Sequence, residues 1–385
     1  MLRMCALVTL LFSATWVTAN RGLIVVDCGA GQSLNRTLAK MDKFEPATVT
    51  VKGTCTEYVL IDGFNDLTLK GVQGATLQQP STNPQPNSYV LSIRASRGVT
   101  VSGLAVHSLP SIFSGIGIGG GSNDVRLQNV ATDGSWGVEV YEASQVWLVN
   151  VTVNITSGYA AVSVFDKSDV HIVNGLVERP ADSNFYAGIF ASSGHVTMQG
   201  TVIRDMQQSI NIDASGSVDL VYFDASVPSR DVIVNNPAGT NFNGVRVTNG
   251  SSLNLGTSSV KLRITNAGQR YGSDTGAVFV SDGSTMNAGA NLVVSGSQGQ
   301  GVFVANNSHA ALAGSSITAS SHGGLVVVNL STAAVTASTP LTVIGGNATD
   351  LFCDSKSQIA GGMNITNATS VQCTNFLSGD YETLP

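Results

Sequence analysis

Charged residues are scarce in this sequence, and their scarcity limits the partners that it can recognise. Only 11% of the 385 residues are Asp, Glu, Lys or Arg, and the net charge of −6 is spread thinly, without a basic cluster. Nucleic-acid binding needs a basic patch, so we expect no nucleic-acid partner. Low charge also accompanies disorder, but 43% hydrophobic residues and a regular Val/Ile/Leu alternation indicate a packed core.

Long apolar runs are absent after the first segment, so we expect no membrane span. Residues 1–19 contain one early cation, Arg3, then an apolar run from Cys5 to Phe12 and small residues up to Ala19. This layout is typical of a secretory signal peptide. We therefore expect cleavage near Ala19 and a secreted protein, extracellular or periplasmic.

Cysteine is missing from the whole stretch between Cys55 and Cys353. Once Cys5 leaves with the signal peptide, one pair remains near each end, Cys28 with Cys55 and Cys353 with Cys373, and four cysteines allow three pairings. The spacings match no zinc site, and an exported protein meets an oxidising environment. Proximity in a rod-like fold favours Cys28–Cys55 and Cys353–Cys373 as disulfides that staple the two ends.

Helical periodicity is absent between the predicted strands, whereas a short strand motif recurs. Six segments have apolar first and third residues and Gly or Asn at the fifth: Leu67–Gly71, Val99–Gly103, Val125–Asn129, Val146–Asn150, Val170–Asn174 and Val196–Gly200. The apolar–X–apolar pattern predicts a strand with one buried face. Gly and Asn tolerate positive φ, so the motif predicts a left-handed bend after each strand, where stacked Asn side chains could hydrogen-bond along the axis.

A second strand motif, a small residue followed by an in–out–in run, recurs as Gly137–Val140, Ala161–Val164, Gly188–Ala191, Ser209–Ile212, Gly244–Val247, Ala277–Val280 and Gly301–Val304. Along the first motif, successive coils start at Val125, Val146, Val170, Val196, Val218, Leu253, Met286, Ala310, Ala333 and Ser357. These starts are 21 to 26 residues apart, except for gaps of 35 and 33, which we attribute to loop insertions near Pro228–Asp231 and Gln269–Asp274. The period predicts an all-β, right-handed parallel β-helix with three short sheets and about 12 coils.

The open ends of a solenoid need caps. At the N-terminal end, Ser33 is predicted to cap a short helix in which Leu34, Leu38 and Met41 share one face. The predicted division is a signal peptide (1–19), an N-terminal cap with the first coil (20–62), the β-helix (63–350) and the last coil with a C-terminal cap (351–385). Because the caps cover the strand edges, we expect a monomer.

The segments Thr48–Glu57 and Leu67–Leu77, together with the two strand motifs, resemble the opening of bacterial secreted right-handed β-helix proteins of the pectin-lyase-like class. The resemblance covers about residues 24–375 and is far more specific for the fold than for a function. The class includes pectate and pectin lyases, polygalacturonases, alginate-acting enzymes, adhesins and members without an assigned activity.

The catalytic motifs of that class are missing. Polygalacturonases carry paired aspartates before the Gly-Val-x-Val strand, where this chain has Ser135-Trp136, Tyr159-Ala160 and Tyr186-Ala187. The run Asp166–Asp169 is only superficially similar to the calcium cluster of pectate lyases, and Gly115–Gly121 has the rhythm of a strand with small outward residues. Enzyme activity is therefore an open question, and calcium is the one cofactor that stays in consideration.

Aromatic residues make up 6% of the chain, yet several occupy nearly the same place in successive coils. Trp136, Tyr159, Tyr186 and Phe242 precede the second strand motif, and adjacent coils lie about 4.8 Å apart. Two interpretations are open: a platform that binds the apolar face of sugar rings along a groove, or a stack that stabilises the solenoid. The candidate substrate-binding residues are Trp136, Tyr159, Tyr186, Tyr141 and Phe165.

The outward side chains near these aromatics include Glu139, Tyr141, Glu142, Ser163, Phe165, Asp166 and Phe190. The candidate catalytic residues are Glu139 and Asp166, one coil apart, since paired carboxylates can serve as general acid and base or bind calcium; solvated surface carboxylates are the alternative.

The five histidines are His107, His171, His195, His309 and His322. They are assigned to different coils and sides, so we expect no metal site. His171 belongs to an outward column with Arg126, Trp147, Thr197 and Asp219, which is either a second binding surface or an ordinary polar exterior.

Two functions are consistent with the sequence. The first is binding or processing of an extracellular polysaccharide, of uronate type for instance, along the aromatic-lined groove. The second is a non-catalytic extracellular adhesin or scaffold, in which the aromatic residues are structural.

Overall fold

The computed structural model describes residues 23–81, 89–109, 115–134, 136–156, 158–179, 187–223, 231–235, 243–256, 259–267, 276–335, 342–361 and 365–377. In these residues the chain is a parallel β-helix with three sheets, here called A, B and C, of 15, 13 and 13 strands. Each coil adds one strand to each sheet, and every pairing is parallel, as in Val125↔Val146. The prediction of an all-β parallel β-helix with three short sheets is confirmed.

Sheet A consists, in order, of Ile24–Asp27, Ala47–Lys52, Leu67–Gly71, Thr100–Ser102, Val125–Gln128, Gln145–Val149, Asp169–Val173, His195–Gln199, Ser217–Leu220, Ser252–Asn254, Thr285–Asn287, His309–Ala311, Thr332–Ala334, Gln358–Ala360 and Phe376–Leu377. Sheet B consists of Thr54–Thr56, Thr76–Gln78, Ala105–His107, Ala131–Gly134, Thr152–Ile155, Leu176–Glu178, Val202–Arg204, Val232–Asn235, Leu262–Thr265, Leu292–Ser295, Ser316–Thr318, Thr342–Gly345 and Ile365–Thr366. Sheet C consists of Val59–Asp62, Leu91–Arg94, Ile116–Gly119, Val138–Val140, Ala160–Phe165, Ala187–Ser192, Gln208–Asp213, Asn243–Val247, Gly276–Val280, Gln300–Val304, Gly323–Val327, Thr349–Cys353 and Val371–Cys373.

The helical elements of the described residues are short. They are the α-helix Leu34–Leu38 and the 3-10 turns Cys28–Ala30 and Gly289–Asn291. Within the described ranges, no helix is long and apolar enough to cross a membrane.

The hydrophobic core is one continuous column inside the coils, because each strand turns alternate side chains inward. The register pairs Val125 with Val146 and continues in the predicted order through Val218, Leu253 and Met286 to Ala333. The two long coils are therefore confirmed, while their inserted loops, Asp231 apart, lie outside the described residues.

The predicted start of the last coil is wrong by two residues. Ala333 pairs with Ile359 and not with Ser357. Ser357 is buried at the bend before that strand, where its hydroxyl accepts a hydrogen bond from Ser331 N at 3.3 Å.

Ser357 belongs to a buried serine ladder that the sequence reasoning missed. Before the strands of sheet A, each backbone amide donates to the hydroxyl of the serine in the next coil, in the runs Ser96–Ser122–Ser144–Ser168 and Ser251–Ser284–Ser308–Ser331–Ser357. Gly194 and Gly216 interrupt the ladder, because a Cβ at either position would press on the backbone of the preceding coil. The serines thus satisfy bend amides that are buried away from water.

The predicted left-handed bends are confirmed at five of the six positions. Asn129, Asn150 and Asn174 have φ of 52°, 53° and 54°, and Gly103 and Gly200 both have φ of 62°. As predicted, the asparagines hydrogen-bond along the axis, from Asn150 Nδ2 to Asn129 Oδ1 at 3.0 Å and from Asn174 Nδ2 to Asn150 Oδ1 at 2.7 Å.

Gly71 is the exception, since it ends a strand in extended conformation and the left-handed residues, Gln73 and Gly74, come later. Glycine is needed at position 71 for a different reason. A Cβ there would overlap the carbonyl group of Gly103 in the next coil.

The N-terminal cap forms as predicted. The Ser33 hydroxyl accepts a hydrogen bond from Arg36 N at 3.1 Å, and Leu34 and Leu38 are buried against the core. Glu57 completes the cap, because its carboxylate accepts from Leu34 N at 2.6 Å and from Ser33 Oγ at 2.8 Å. Met41 packs on the same core just after the helix.

Both predicted disulfides are present, Cys28–Cys55 and Cys353–Cys373. They join neighbouring coils at the two ends of the solenoid, where fewer neighbours hold the chain, and such bonds persist in oxidising compartments. Near the second bond, the buried carboxylate of Asp350 accepts hydrogen bonds from Thr369 N at 2.6 Å and Ser370 N at 3.0 Å.

Candidate functional site

The outer face of sheet C carries an unusual number of aromatic and apolar side chains. In each in–out–in strand the first and third residues, mostly Val, Ile or Leu, turn into the core, so the residue between them must point outward. The register places these outward residues in one column: Leu60, Ser92, Gly117, Glu139, Ser163, Phe190, Asn211, Arg246, Phe279, Phe303, Val326 and Phe352.

Two tyrosines form the first part of this surface. The rings of Tyr89 and Tyr141 stack with their centroids 6.0 Å apart and an interplanar angle of 20°. They lie on the strand Ile116–Gly119, whose outward residues are Gly117 and Gly119; a methyl group on either glycine would overlap the ring above it. The small outward residues predicted for this strand are therefore glycines, which leave room for the two tyrosine rings.

The tyrosine groove is defined here by Tyr58, Tyr89, Arg94, Glu139 and Tyr141. The cavity beside these residues has a volume of about 880 Å³ and extends to Glu57 and Glu142. Hydrogen bonds connect Tyr89 to both Tyr141 and Glu139. Because a carboxylate can only accept, Tyr89 donates to Glu139.

Burial and the neighbouring Glu139 carboxylate raise the pKa of Tyr89 well above its ordinary value. Burial also raises the pKa of Tyr141. Both hydroxyls therefore stay protonated at any physiological pH, so the groove presents neutral rings beside charged Arg94 and Glu139.

A second aromatic cluster lies at the start of the next coils. The centroids of Trp136 and Tyr159 are 6.0 Å apart with an interplanar angle of 30°. Tyr159 meets Phe190 edge to face at 5.0 Å, and Phe190 meets Phe165 at 5.6 Å. Tyr159 is 47% exposed and Phe190 only 7%, so the cluster combines one accessible ring with one that is packed underneath.

Of the four aromatic residues predicted to form one column, the structure brings Trp136 and Tyr159 together. Tyr186 and Phe242 lie outside the described residues. The candidate residues Tyr141 and Phe165 sit on the same face of sheet C as Trp136 and Tyr159, at the ends of neighbouring strands.

A third group of apolar side chains, here called the C-terminal stripe, consists of Phe279, Phe303, Val326 and Phe352. Phe279 and Phe303 stack at 5.5 Å with an interplanar angle of 11°, and the Arg246 guanidinium lies over Phe279 at 6.0 Å. The sequence reasoning found these strands but overlooked that their middle residue is Phe in both Ala277–Val280 and Gly301–Val304. That repeated Phe was the available signal.

The carboxylates Glu139 and Asp166 occupy different parts of this face. The register pairs Glu139 with Ser163, whereas Asp166 lies three residues further, in a left-handed turn with φ of 51°. Three residues of strand span about 10 Å. Asp166 instead neighbours the turn at Ala143, whose amide donates to the Asp166 carbonyl oxygen at 3.0 Å.

The outer face of sheet A corrects the prediction that the histidines fall on different sides. His171 and His195 lie in adjacent coils and share Asp169, with His171 Nε2 at 3.1 Å and His195 Nδ1 at 2.9 Å from its oxygens. His195 Nε2 is also 3.2 Å from Asp219. Trp147 stacks on His171 at 4.2 Å, so the predicted outward column exists.

Among the described residues, one group of His, Cys, Asp and Glu side chains is close enough to surround a metal ion, namely Cys28, Cys55 and Glu57. The two cysteines form a disulfide and Glu57 caps the helix, so these atoms are already engaged. The tyrosine groove contains no comparable ligand set within the same described ranges.

No protein-family model matches the sequence, and no curated protein matches it. Solved structures with the same fold include the receptor-binding protein of bacteriophage Det7, a podoviral tailspike in a myovirus (TM-score 0.57, 7% identity, 95% of this chain and 78% of that chain). The tailspike receptor-binding domain of siphovirus 9NA gives a TM-score of 0.51 at 8% identity over 95% and 78% of the two chains. The catalytic domain of a GH87 α-1,3-glucanase in complex with nigerose gives 0.48 at 12% identity, over 92% and 68%.

Identities this low show the fold and nothing more. The chain has the parallel β-helix fold that these structures share.

Proposed function

We propose that this protein binds an extracellular polysaccharide along the outer face of sheet C. The observation that carries the proposal is the tyrosine groove, in which two stacked rings lie beside Arg94, which lines the cavity, and Glu139, which is hydrogen-bonded to Tyr89. A sugar ring has an apolar C–H face and a rim of hydroxyls. Flat rings next to fixed hydrogen-bonding groups match both parts of it.

The shape of the surface also supports a polymeric ligand. The tyrosine groove, the Trp136–Tyr159 pair and the C-terminal stripe follow one another along the axis of one sheet face. A polysaccharide that runs along the axis would cross successive strands about every 4.8 Å and meet these groups in turn.

Charge favours a neutral glycan over the uronate polymer that the sequence suggested. The described charged residues that line the cavity are two carboxylates, Glu57 and Glu142, and one guanidinium, Arg94, and a third carboxylate, Glu139, is hydrogen-bonded to Tyr89. All three carboxylates already accept hydrogen bonds, Glu57 from Leu34 N, Glu142 from Gly120 N and Glu139 from the Tyr89 hydroxyl. The hydrogen bonds reduce the repulsion that these carboxylates would exert, but Arg94 alone cannot neutralise a row of uronate charges.

Binding is proposed here in preference to turnover. General acid–base catalysis needs two groups placed around one bond, and Glu139 and Asp166 are separated along the strand direction. Glu139 is the better candidate of the two, because it faces the groove and accepts from Tyr89.

Secretion belongs to the same proposal. Two disulfides suit an oxidising compartment, and residues 1–19 are proposed as the signal peptide that delivers the chain there. A monomer and the absence of nucleic-acid binding are also proposed; light scattering and a filter-binding assay check them.

The test is affinity electrophoresis of the secreted chain in gels that contain laminarin, galactomannan, dextran, polygalacturonate or alginate, with and without calcium. At least one polymer should retard the native protein, and Tyr141→Ala should weaken that retardation about tenfold, equivalent to 1.4 kcal/mol. Trp147→Ala, an aromatic truncation on sheet A, is the matched control and should leave it unchanged. Reducing ends and unsaturated products, assayed on the same samples, report any cleavage.

The alternative is a non-catalytic adhesin or scaffold in which the rings only stabilise the solenoid. It is favoured by the burial of Phe190, Phe279 and Phe303, which are 6% to 8% exposed. In that case, Trp136→Ala combined with Tyr159→Ala lowers the melting temperature and changes no glycan phenotype. Under our proposal the same pair reduces glycan retention at a small cost in stability.

A further inference from the structure

A second cavity lies on the same face of sheet C, close to the C-terminal end. It has a volume of about 830 Å³. We define the C-terminal pocket by its apolar floor, Phe303, Val326, Val328 and Phe352, and by the polar rims on both sides of that floor. Val328 and Phe352 are half-buried, so part of the floor is open to a ligand.

One rim follows the strand ends. Asn306 and Asn329 occupy left-handed bends, both with φ of 56°. The Asn329 side chain donates to Asn306 Oδ1 at 3.2 Å, and Asn329 N donates to Asp354 Oδ2 at 2.8 Å. Each carboxamide is exposed and keeps further hydrogen-bonding capacity, so the ladder presents amide groups in fixed positions beside the floor.

The other rim lies where the strands begin and contains Gln300, Ser321, His322 and Thr349. Asp354 and His322 are the titratable residues among the described lining of the pocket, and no Lys or Arg is part of that lining. An anionic ligand would find no permanent cation there. An apolar floor between two rows of amides and hydroxyls instead suits a neutral pyranose ring.

We propose that the C-terminal pocket is a second saccharide subsite, and that one polysaccharide chain occupies it and the tyrosine groove together. This rests on the proposed function of sheet C. The strand Val138–Val140 borders the groove and the strand Gln300–Val304 borders the pocket; six strand spacings separate them, or roughly 29 Å. The sites share one face, so a polymer that follows the axis can reach both without bending around the solenoid.

Two linked subsites predict a dependence on ligand length. A fragment shorter than roughly 29 Å can fill one site only, whereas a longer chain makes its second contact within the same complex. The second contact then strengthens binding, because the part of the polymer that is already bound holds the rest at a high effective concentration near the second site. Affinity should therefore rise at least tenfold once the fragments exceed that length.

The experiment compares full-length laminarin, galactomannan, dextran, polygalacturonate and alginate with fragments of each that are too short to span the two sites. The variants are Val328→Glu, which puts a charge on the pocket floor, His322→Ala on the exposed rim, and Tyr141→Ala in the groove. Thr285→Glu, on the outer face of sheet A, is the control for an added charge.

We expect Val328→Glu and Tyr141→Ala each to weaken retention of the long polymer at least tenfold and to abolish the advantage of length. His322→Ala should give a smaller loss of the same kind, and Thr285→Glu none. If Val328→Glu and His322→Ala keep full affinity for the long polymer while Tyr141→Ala loses it, the second subsite is refuted and the tyrosine groove stands. Retention of the native chain by none of the polymers overturns both proposals.

Discussion

His195 lies between two carboxylates on sheet A, and this position makes the stability of the folded chain depend on pH. Its Nδ1 is 2.9 Å from Asp169 and its Nε2 is 3.2 Å from Asp219. Hydrogen bonds to Asp169 and then to Asp219 raise the pKa of His195 to about 9. Burial opposes ionisation of Asp169, but hydrogen bonds from His171 and His195 outweigh it and lower the pKa of Asp169.

The direction of the effect follows from linkage. Because the folded state raises the pKa of His195, its contribution to stability is complete below the ordinary value of 6.5 and disappears as the pH rises through about 9. The pKa of Asp169 is lowered, so its contribution is present above the ordinary value of 3.8 and is lost in acid. The network therefore stabilises the fold most between these two ordinary values.

The magnitude follows from the same shift. A rise from 6.5 to about 9 corresponds to at most roughly 3 kcal/mol. The His195 side chain is 37% exposed, and solvent screening reduces the expected contribution to about 1 kcal/mol. We therefore expect His195→Gln to lower the free energy of unfolding by about 1 kcal/mol near pH 6 and by almost nothing near pH 10.

The assay is urea unfolding followed by circular dichroism at both pH values, with the disulfides intact. His309→Gln is the control, because it removes another sheet A histidine whose pKa is lowered by burial. Protonation of His309 opposes folding, so the stability of His309→Gln relative to the native chain should improve as the pH falls. Equal losses for His195→Gln at both pH values would show that the ion pairs contribute nothing measurable.

Three further predictions concern bends and buried groups. Asp350→Ala removes the charged acceptor that the amides of Thr369 and Ser370 share, so it should cost about 3 kcal/mol and expose the last coil to proteolysis; unchanged cleavage would contradict this. Asn150→Ala removes two side-chain hydrogen bonds and strains a left-handed residue, so urea unfolding should show a free energy of unfolding lower by about 2 kcal/mol. Asn150→Gly avoids the backbone strain, so its free energy of unfolding should fall by clearly less. Gly117→Ala should displace the Tyr89 ring, so that spectrophotometric titration shows one tyrosine pKa moving down towards its ordinary value; an unaltered titration curve would refute that role of Gly117.

Much of the fold was predictable because the governing interactions are local. In Val146–Asn150, the alternation decides which side chains turn inward, and Asn150 permits the left-handed bend. The disulfide pairing was predictable from the rod-like shape, because Cys28 and Cys373 lie at opposite ends of a rod and each can reach only the cysteine near its own end. The serine ladder was missed, although Ser144 and Ser168 stand at the same offset before their strands, because a lone serine at a bend is unremarkable until the coils are superposed.

The candidate site was less predictable, because it depends on contacts between coils. Tyr89 and Tyr141 are 52 residues apart in sequence, and neither stands in the predicted aromatic column. They meet because both lie over the glycines of the intervening strand Ile116–Gly119. The pair His171 and His195 shows the same limit, since the shared carboxylate of Asp169 became visible only in the register of sheet A.

The sequence by itself determined that this chain is a parallel β-helix, because every coil repeats a short-range pattern of inward Val, Ile and Leu and of bends at Gly and Asn. The tertiary structure alone decided which outward residues become neighbours. That choice depends on the register between coils of unequal length, such as the coil from Val218 to Leu253, and a shift of one residue in a strand would turn its outward side chains inward. The tyrosine groove and the C-terminal pocket exist because the register holds Tyr141 over Gly119 and Phe303 beside Phe279.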